Sequence, residues 1–516
     1  MRYGKYHQEE LYKMSSEQLM RIILKEQEKK NFILATDSYK LTHHLLYPEG
    51  LTELYSYMES RGSSTEIELE SSVFFGLQYY LMEYLAGVRI TSKDINEANR
   101  QSISHFGFDC FNRKMWERIL SVHGGKLPLE ICAVPEGTVM SLKNVLLTIK
   151  NTDPECAALV NPTETLLMKL WYPITVASYS RSIKEIIRKG WLQSSDTSEF
   201  TLDYLLHDFG ARGVSSEETA KIGAAANMIN FKGTDTFVGI SMLQEFYSAD
   251  MPGVSVIASE HSVMCSFGGP DHEFEAYEKI ITKVRKECPG AHIISLVSDT
   301  YNIYNVCRNI LPKLKHLWVG QTNSNGIPIK VVVRPDSGDM FKVLFGDIES
   351  QDRDIQLGVF EILAQEFGSY RNAKGYKKLD LSIGILQGDG ISKKTIAQLV
   401  DLMISLKIDT TSLVVGSGGK LLQAHDRDSL KFAIKATYAK FGDKGIAIQK
   451  DPITDHGKKS KKGYLKLVER DGKLQTLEMS DPDFEMSTDI LVPVFRDGEI
   501  LKKWTFDEIR KTAKIS

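Results

Sequence analysis

From Leu205 onward the chain repeats one pattern: a short apolar run, a polar loop with glycine, then a helical stretch. Val254–Ala258, Ile293–Val297, Ile329–Val333, Leu381–Leu386 and Leu413–Val415 are mostly apolar rather than alternating. That is how parallel strands buried on both faces read. They end in Ser259-Glu260-His261-Ser262, Ser298-Asp299, Arg334-Pro335-Asp336-Ser337-Gly338, Gln387-Gly388-Asp389-Gly390 and Gly416-Ser417-Gly418-Gly419. The repeat length of roughly 30–50 residues is that of a β/α barrel, whose active site lies at the C-terminal ends of its strands. The chemically distinctive residues of this chain cluster at those ends.

The stretch Leu205–Leu243 opens the pattern. Leu205-Leu206 closes an apolar run, and Gly210 and Gly213 permit a tight turn. Ser215 with Glu218 predicts a capping box, Ala224–Ile229 carries the helix on, and Thr236 is placed to cap the next one. Each loop puts its polar residues beside a helix N-terminus, where backbone N–H groups favour anions. Phe209, Arg212 and Asp235 lie in these loops, a trio suited to a flat aromatic ligand bearing a phosphate and an amide.

The two ends of the chain read differently. Asn31–Ile33 predicts a strand entry, Ala35–His44 a polar loop with one aromatic (Tyr39), Glu53–Met58 a strand, and Leu127–Lys150 several strands. Thr163–Arg188 is helical, interrupted at Pro173. Asp471-Gly472 and Asp497-Gly498 mark hairpins, and Thr505 caps a terminal helix. The expected fold is α/β: an irregular β/α-barrel-like domain over residues 176–425, beside a β-rich α+β domain built from both chain ends, 31–175 and 426–516. Residues 1–30 form a charged extension with Leu19, Ile22 and Ile23 on one helical face.

Composition narrows the function. A chain of 516 residues exceeds one ordinary domain, and a net charge of −3 gives no reason to expect a nucleic-acid partner. The six cysteines are scattered without a CxxC, which argues for a reducing compartment and against a zinc site. No apolar run approaches a membrane span, and Glu9, Glu10 and Glu17 interrupt any signal-like core. A cytoplasmic protein is expected.

Several loops carry chemistry. Gly416–Gly419 can cradle a phosphate with backbone N–H groups. Arg334 and Asp336 put a cation and a carboxylate at one strand end, fit for phosphate and ribose hydroxyls. Asp389 adds an acceptor where backbone can approach closely. His261 can serve as general base or phosphoryl acceptor, with Asp299 placed to hold its second ring nitrogen.

Taken in order, Ala35–Lys40, His207–Gly210 with Arg212-Gly213, Phe231–Asp235, Glu260–Ser262, Arg334–Gly338, Gln387–Gly390 and Gly416–Gly419 closely resemble the nicotinamide phosphoribosyltransferase family, from about Asn31 to the C-terminus. The resemblance implies transfer of phosphoribosyl from phosphoribosyl pyrophosphate to nicotinamide, with Mg²⁺ as cofactor and ATP as a co-substrate turned over through a phosphohistidine at His261. It implies a homodimer with active sites at the subunit interface, in which Phe209 and the partner copy's equivalent of Tyr39 sandwich the ring. Asp37 falls in the same matched motif as Tyr39. Asp235 would accept from the carboxamide, with Ser255 nearby. Arg334, Asp336, Gly388 and Asp389 would hold the ribose side, and Gly418, Gly419 and Arg427 the 5′-phosphate. Arg61, Arg212, Lys435, Lys450 and Lys458 would surround the pyrophosphate or the ATP phosphates, and Asp299 would support the His261 site. Two positions depart from the family: residues 1–30 precede its usual start, and Ala433 stands where a phosphate-binding serine is expected. Competing readings are a nicotinate phosphoribosyltransferase and a non-catalytic binding or signalling protein on the same fold.

Overall fold

The computed structural model describes residues 30–515, with Arg2–Tyr3, Tyr6–His7 and Ser15. The helical face expected at Leu19, Ile22 and Ile23 lies outside the described residues. The chain divides into two compact units. One comprises Tyr179–Met242 and Asp250–Ala424 with residues 515–516; the other comprises Met1–Ser178, Leu243–Ala249 and His425–Lys514.

The first unit is built on a seven-stranded parallel sheet. Its order in space is Ile257–Ala258, Ile293–Val297, Lys330–Arg334, Ile383–Gln387, Leu413–Ser417, Leu206–Asp208 and Gly233–Thr234. A parallel bridge between Gly233 and Val254 joins the last strand to the segment before the first, so the sheet curls back on itself. Thr234 N donates to Val254 O at 3.0 Å, and Val254 N to Lys232 O at 2.8 Å. Ile294, Leu296, Val331, Val333, Ile383 and Ile385 are buried, as runs apolar on both faces require.

Three of the strands run further into their polar ends than the apolar pattern suggests. Arg334, Gln387 and Gly416-Ser417 are still in the ladder, whereas Leu381 is exposed outside it. Ladder bonds are made by backbone groups and do not stop where side chains turn polar. Val254–Ala258 shrinks to Ile257–Ala258. The helix after Gly213 starts one residue later than expected: Ser216, not Ser215, is the cap, its Oγ accepting from Thr219 N at 3.1 Å. Ser215 N instead donates to Gln423 Oε1 at 2.9 Å, so no Ser215–Glu218 box forms.

The second unit holds a seven-stranded antiparallel sheet drawn from both chain ends, in the order Lys444–Ala447, Phe432–Phe441, Leu51–Ser60, Val145–Asn151, Leu129–Ala133, Val492–Arg496 and Glu499–Ile500. Asp471-Gly472 and Asp497-Gly498 turn their hairpins with φ of 51° and 70°, and 49° and 82°, the left-handed values that a type I′ turn needs. Thr505 caps Phe506–Thr512 in a full capping box with Glu508. Two expectations fail here. Asn31–Ile33 is not a strand: Asn31 caps a 3-10 turn over Phe32–Leu34, its side chain accepting from Ile33 N. The helix around Pro173 breaks between Val160–Met168 and Trp171–Ser194, and Pro173 sits in the first turn of the second helix, where its missing N–H leaves nothing unpaired.

In the barrel-like unit a buried carboxylate fixes the approach to the strand Leu413–Ser417. Asp409 is fully buried and accepts from Thr411 N at 2.9 Å, Thr411 Oγ1 at 2.8 Å, and Ser195 Oγ and Asn372 Nδ2, each at 3.0 Å. Lys378 Nζ lies 3.5 Å away. Asp409→Ala strands all these donors and is expected to cost roughly 3–5 kcal/mol, read as a lower midpoint in denaturant unfolding; a midpoint within error of wild type would contradict this role.

Candidate active site

The site grows from the end of one strand. Asp208 closes Leu206–Asp208 with its side chain fully buried. It accepts from Gly210 N at 2.7 Å and Thr234 Oγ1 at 2.9 Å, and burial pushes its carboxyl above the ordinary range. Phe209 N donates to Ser417 O at 2.9 Å, and Asp235 N to Asp208 O at 3.0 Å. Phe209 and Asp235 therefore leave neighbouring strand ends side by side. A Cβ on Gly416 would overlap the Phe209 ring, and one on Gly388 would stand 2.7 Å from Asp336 Oδ1. Both positions require glycine for close approach.

These ends enclose a cavity of about 670 Å³. Phe209, Arg212, Asp235, Arg334, Asp336, Gly388, Asp389, Gly418 and Gly419 all line it. At the ring end, Asp235 Oδ1 accepts from His207 Nε2 at 3.0 Å and from Ser255 Oγ. Burial works to raise the Asp235 carboxyl, but the hydrogen bonds of His207 and Ser255 outweigh it and hold the group below its ordinary range. At the other end, Gly418-Gly419 precedes only one helical turn, Gly419–Leu422, and packs backbone to backbone against Gly213.

His261 begins the short helix His261–Cys265. Its Nδ1 lies 3.1 Å from Thr300 Oγ1, and its Nε2 is 3.8 Å from both Asp299 Oδ1 and Asp336 Oδ2. Contrary to the expectation from sequence, Asp299 thus does not hydrogen-bond the ring; Thr300 does. Asp299 Oδ2 instead accepts from Asp336 N at 2.7 Å and Ser337 Oγ at 2.6 Å, which organises the Arg334–Gly338 loop. Its Oδ1 is buried without a hydrogen-bond partner. Arg334 Nη2 donates to Ser259 O at 2.6 Å. Burial raises the Asp336 carboxyl, and the negative charges of Asp299 and Asp389 add to this against Arg334 and His261.

The remaining candidates belong to the β-rich unit. Asp37 Oδ2 accepts from Thr165 Oγ1 at 2.8 Å, and Tyr39 is exposed. Arg61 Nε pairs with Glu59 at 2.8 Å. Burial lowers the Lys435 ammonium, the Arg61, Lys450 and Lys40 cations add to it, and Glu164 opposes. Lys458 pairs with Asp455 and Arg427 with Asp428, each at 3.2 Å. Ala433 faces Glu59 across the sheet and offers no hydroxyl. Elsewhere in this unit, His123, Asp153 and Cys156 have metal-ligand side chains within 4.8 Å of one another. Asp153 is already held by His123 at 2.6 Å and Arg118 at 2.7 Å, and burial pushes the Cys156 thiol up to about 12, so the cluster is structural.

The chain matches the nicotinate phosphoribosyltransferase (NAPRTase) family over residues 204–493, more than half its length. It belongs to that family. Residues 31–131 match the N-terminal domain of nicotinamide phosphoribosyltransferase. The nicotinamide phosphoribosyltransferase of Xanthomonas campestris pv. campestris (strain 8004) is 37% identical over 94% of this chain and 98% of its own. That of Acinetobacter baylyi (strain ATCC 33305 / BD413 / ADP1) is 32% identical over 93% and 96%. Among solved structures, the nicotinate-nucleotide pyrophosphorylase of Pyrococcus furiosus shares the fold, with a TM-score of 0.56 at 16% identity over 94% of this chain and 95% of that one.

Within this NAPRTase-family site, sequence reasoning passed over His207, Asp208, Ser259 and Thr300. A signal existed for His207. It stands two residues before Phe209, and alternate strand residues share a face; the two rings lie 5.0 Å apart. The polar groups of Asp208 and Thr300 are recognisable only once the strand ends are assembled. Gly416→Ala is expected to displace the Phe209 ring and weaken binding of a pyridine ligand about tenfold or more, the loss of one stacking contact. Calorimetry on the folded variant checks this, and wild-type affinity would show that the ring has room to spare.

Proposed function

We propose that the chain is a nicotinamide phosphoribosyltransferase, a pentosyltransferase of NAD salvage. The pyridine nitrogen of nicotinamide attacks C1 of phosphoribosyl pyrophosphate, the C1–oxygen bond to pyrophosphate breaks, and nicotinamide mononucleotide and pyrophosphate form. The ring nitrogen carries no proton, so no general base is needed. The work lies in holding the ring in line with C1 and stabilising departing negative charge.

One observation carries the choice of substrate. Asp235 is held ionised beside Phe209, and its donors His207 Nε2 and Ser255 Oγ both fall on Oδ1. Oδ2 is left to accept from a ligand, and an ionised carboxylate only accepts. The NH₂ of a carboxamide satisfies it. The carboxylate of nicotinate would oppose it, with repulsion on the order of 4 kcal/mol at about 4 Å in a partly buried site. A non-catalytic binder would have no need of Arg334, Asp336, Asp389 and His261 around the same cavity.

Phe209 stacks the ring; Arg334, Asp336, Gly388 and Asp389 hold the ribose; Gly418-Gly419 and Arg427 receive the 5′-phosphate. The cations Arg61, Arg212, Lys435, Lys450 and Lys458 serve pyrophosphate or ATP. Carboxylate oxygens suit a hard cation such as Mg²⁺, and the unpartnered buried Oδ1 of Asp299 fits that need. Asp299 and Asp336, together with phosphate oxygens of the substrate, would hold it, and when bound it would offset charge on the leaving pyrophosphate. ATP acts as co-substrate by phosphorylating His261. In the tautomer whose Nδ1–H donates to Thr300 Oγ1, Nε2 keeps the lone pair that takes the γ-phosphoryl group as ADP departs. A second copy of the chain completes the site with Tyr39, which is exposed, as are Leu45 and Leu46. Among the described residues no helix is long and apolar enough to cross a membrane, and all six cysteines are free, in keeping with a cytoplasmic enzyme.

The direct test is kcat/KM for labelled nicotinamide and nicotinate with phosphoribosyl pyrophosphate. Nicotinamide is expected to be strongly preferred, and a preference for nicotinate would overturn the assignment. Asp235→Asn supplies a donor and removes the repulsion, so it should narrow the preference by roughly tenfold or more, about 1.4 kcal/mol. An unchanged ratio would reduce Asp235 to a structural role. Incubation with γ-labelled ATP should give an acid-labile, base-stable protein phosphate that His261→Ala abolishes along with ATP hydrolysis, while slow nucleotide synthesis persists. Full ATPase activity in that variant would contradict the phosphohistidine.

A further inference from the structure

His207 lies behind the ring end of the cavity on the strand Leu206–Asp208, almost fully buried. The residue paired with it on each neighbouring strand is a glycine, Gly416 on one side and Gly233 on the other. A Cβ on Gly233 would stand 2.7 Å from His207 Nδ1, so the imidazole fills space that a side chain there would take. Held by the ladder and by this fit, the ring aims Nε2 at Asp235 Oδ1, 3.0 Å away, and its face is tilted 40° to the Phe209 ring. An ionised Asp235 can only accept, so Nε2 is the protonated nitrogen and Nδ1 faces the Gly233 backbone. Ser255 Oγ reinforces the same oxygen.

We propose that His207 is the positioning residue for substrate choice: by donating Nε2–H to Asp235 Oδ1 it fixes that carboxylate as an acceptor and leaves Oδ2 for the carboxamide. This rests on the nicotinamide reading given above. The Asp235 side chain is 44% exposed, so without the donor it can rotate or take up a proton. A protonated Asp235 could donate to a carboxylate, and discrimination against nicotinate would fade. His207 does not touch the ligand; it acts through Asp235.

The test compares kcat and KM for nicotinamide and nicotinate in wild type, His207→Gln and His207→Leu. Glutamine keeps an N–H near the position of Nε2, whereas leucine keeps similar bulk without a donor. The leucine variant should narrow the nicotinamide preference by roughly tenfold or more, mainly through KM, the effect of losing one charge-assisted hydrogen bond. The glutamine variant should stay within about threefold of wild type. A leucine variant with the wild-type ratio, or equal narrowing in both variants, overturns the positioning role while leaving the nicotinamide reading intact. If the leucine variant does not fold, the glutamine variant decides: a preserved ratio supports the donor, and a tenfold fall contradicts it. A wild-type enzyme that prefers nicotinate overturns the underlying reading and this inference with it.

Discussion

The carboxylate of Asp208 is wholly buried, yet it accepts from a backbone N–H on its own loop and from the Thr234 hydroxyl on the neighbouring strand. That interaction ties two adjacent strand ends together just before each releases its functional residue. Phe209 follows Asp208 directly, and Asp235 follows Thr234. Burying a carboxylate is costly unless its oxygens are satisfied, and here the satisfying donors are the groups whose placement the site requires. The aromatic platform and the acidic acceptor cannot drift apart while Asp208 keeps both partners.

The absence of side chains matters as much as their presence. Gly416 makes room for Phe209, Gly388 for Asp336, and Gly213 for the Gly418-Gly419 backbone. The cavity therefore has three chemical sectors at short range: a ring platform with a fixed acceptor, a carboxylate cluster around Asp336, and a glycine-lined stretch near Arg212 and Lys420. That order matches the order of groups in a pyridine ribonucleotide. Charge is segregated the same way: hydrogen bonds keep Asp235 readily ionised, while burial, with the nearby charges of Asp299 and Asp389, makes Asp336 harder to ionise.

Much of the barrel-like unit was legible because buried parallel strands must be apolar on both faces. Ile293–Val297 was readable to the residue. Three others were misplaced at their polar ends, where the ladder continues through Arg334, Gln387 and Ser417 for reasons that hydropathy does not carry, and Val254–Ala258 was misplaced at its start. The loops flagged for chemistry do converge, since strand ends of one parallel sheet share an edge. The partners within the site were less legible. Whether Asp299 or Thr300 meets the His261 ring depends on side-chain direction over a single residue. His207 read as lying just past the apolar run Leu205-Leu206, whereas it lies within the strand Leu206–Asp208, and the flanking glycines reveal the space made for its ring. Asn31–Ile33 read as a strand entry, and the hydrogen bond from Ile33 N to the Asn31 side chain makes it a capped turn instead.

The central claim is geometric: Phe209 and Asp235 together read the pyridine ring and its amide. A crystal structure of the protein with nicotinamide bound tests it most directly. The account predicts the ring stacked on Phe209 and the amide nitrogen about 3 Å from Asp235 Oδ2, with His207 still on Oδ1. A ring bound away from Phe209, or an amide whose nitrogen points away from Asp235, would contradict it.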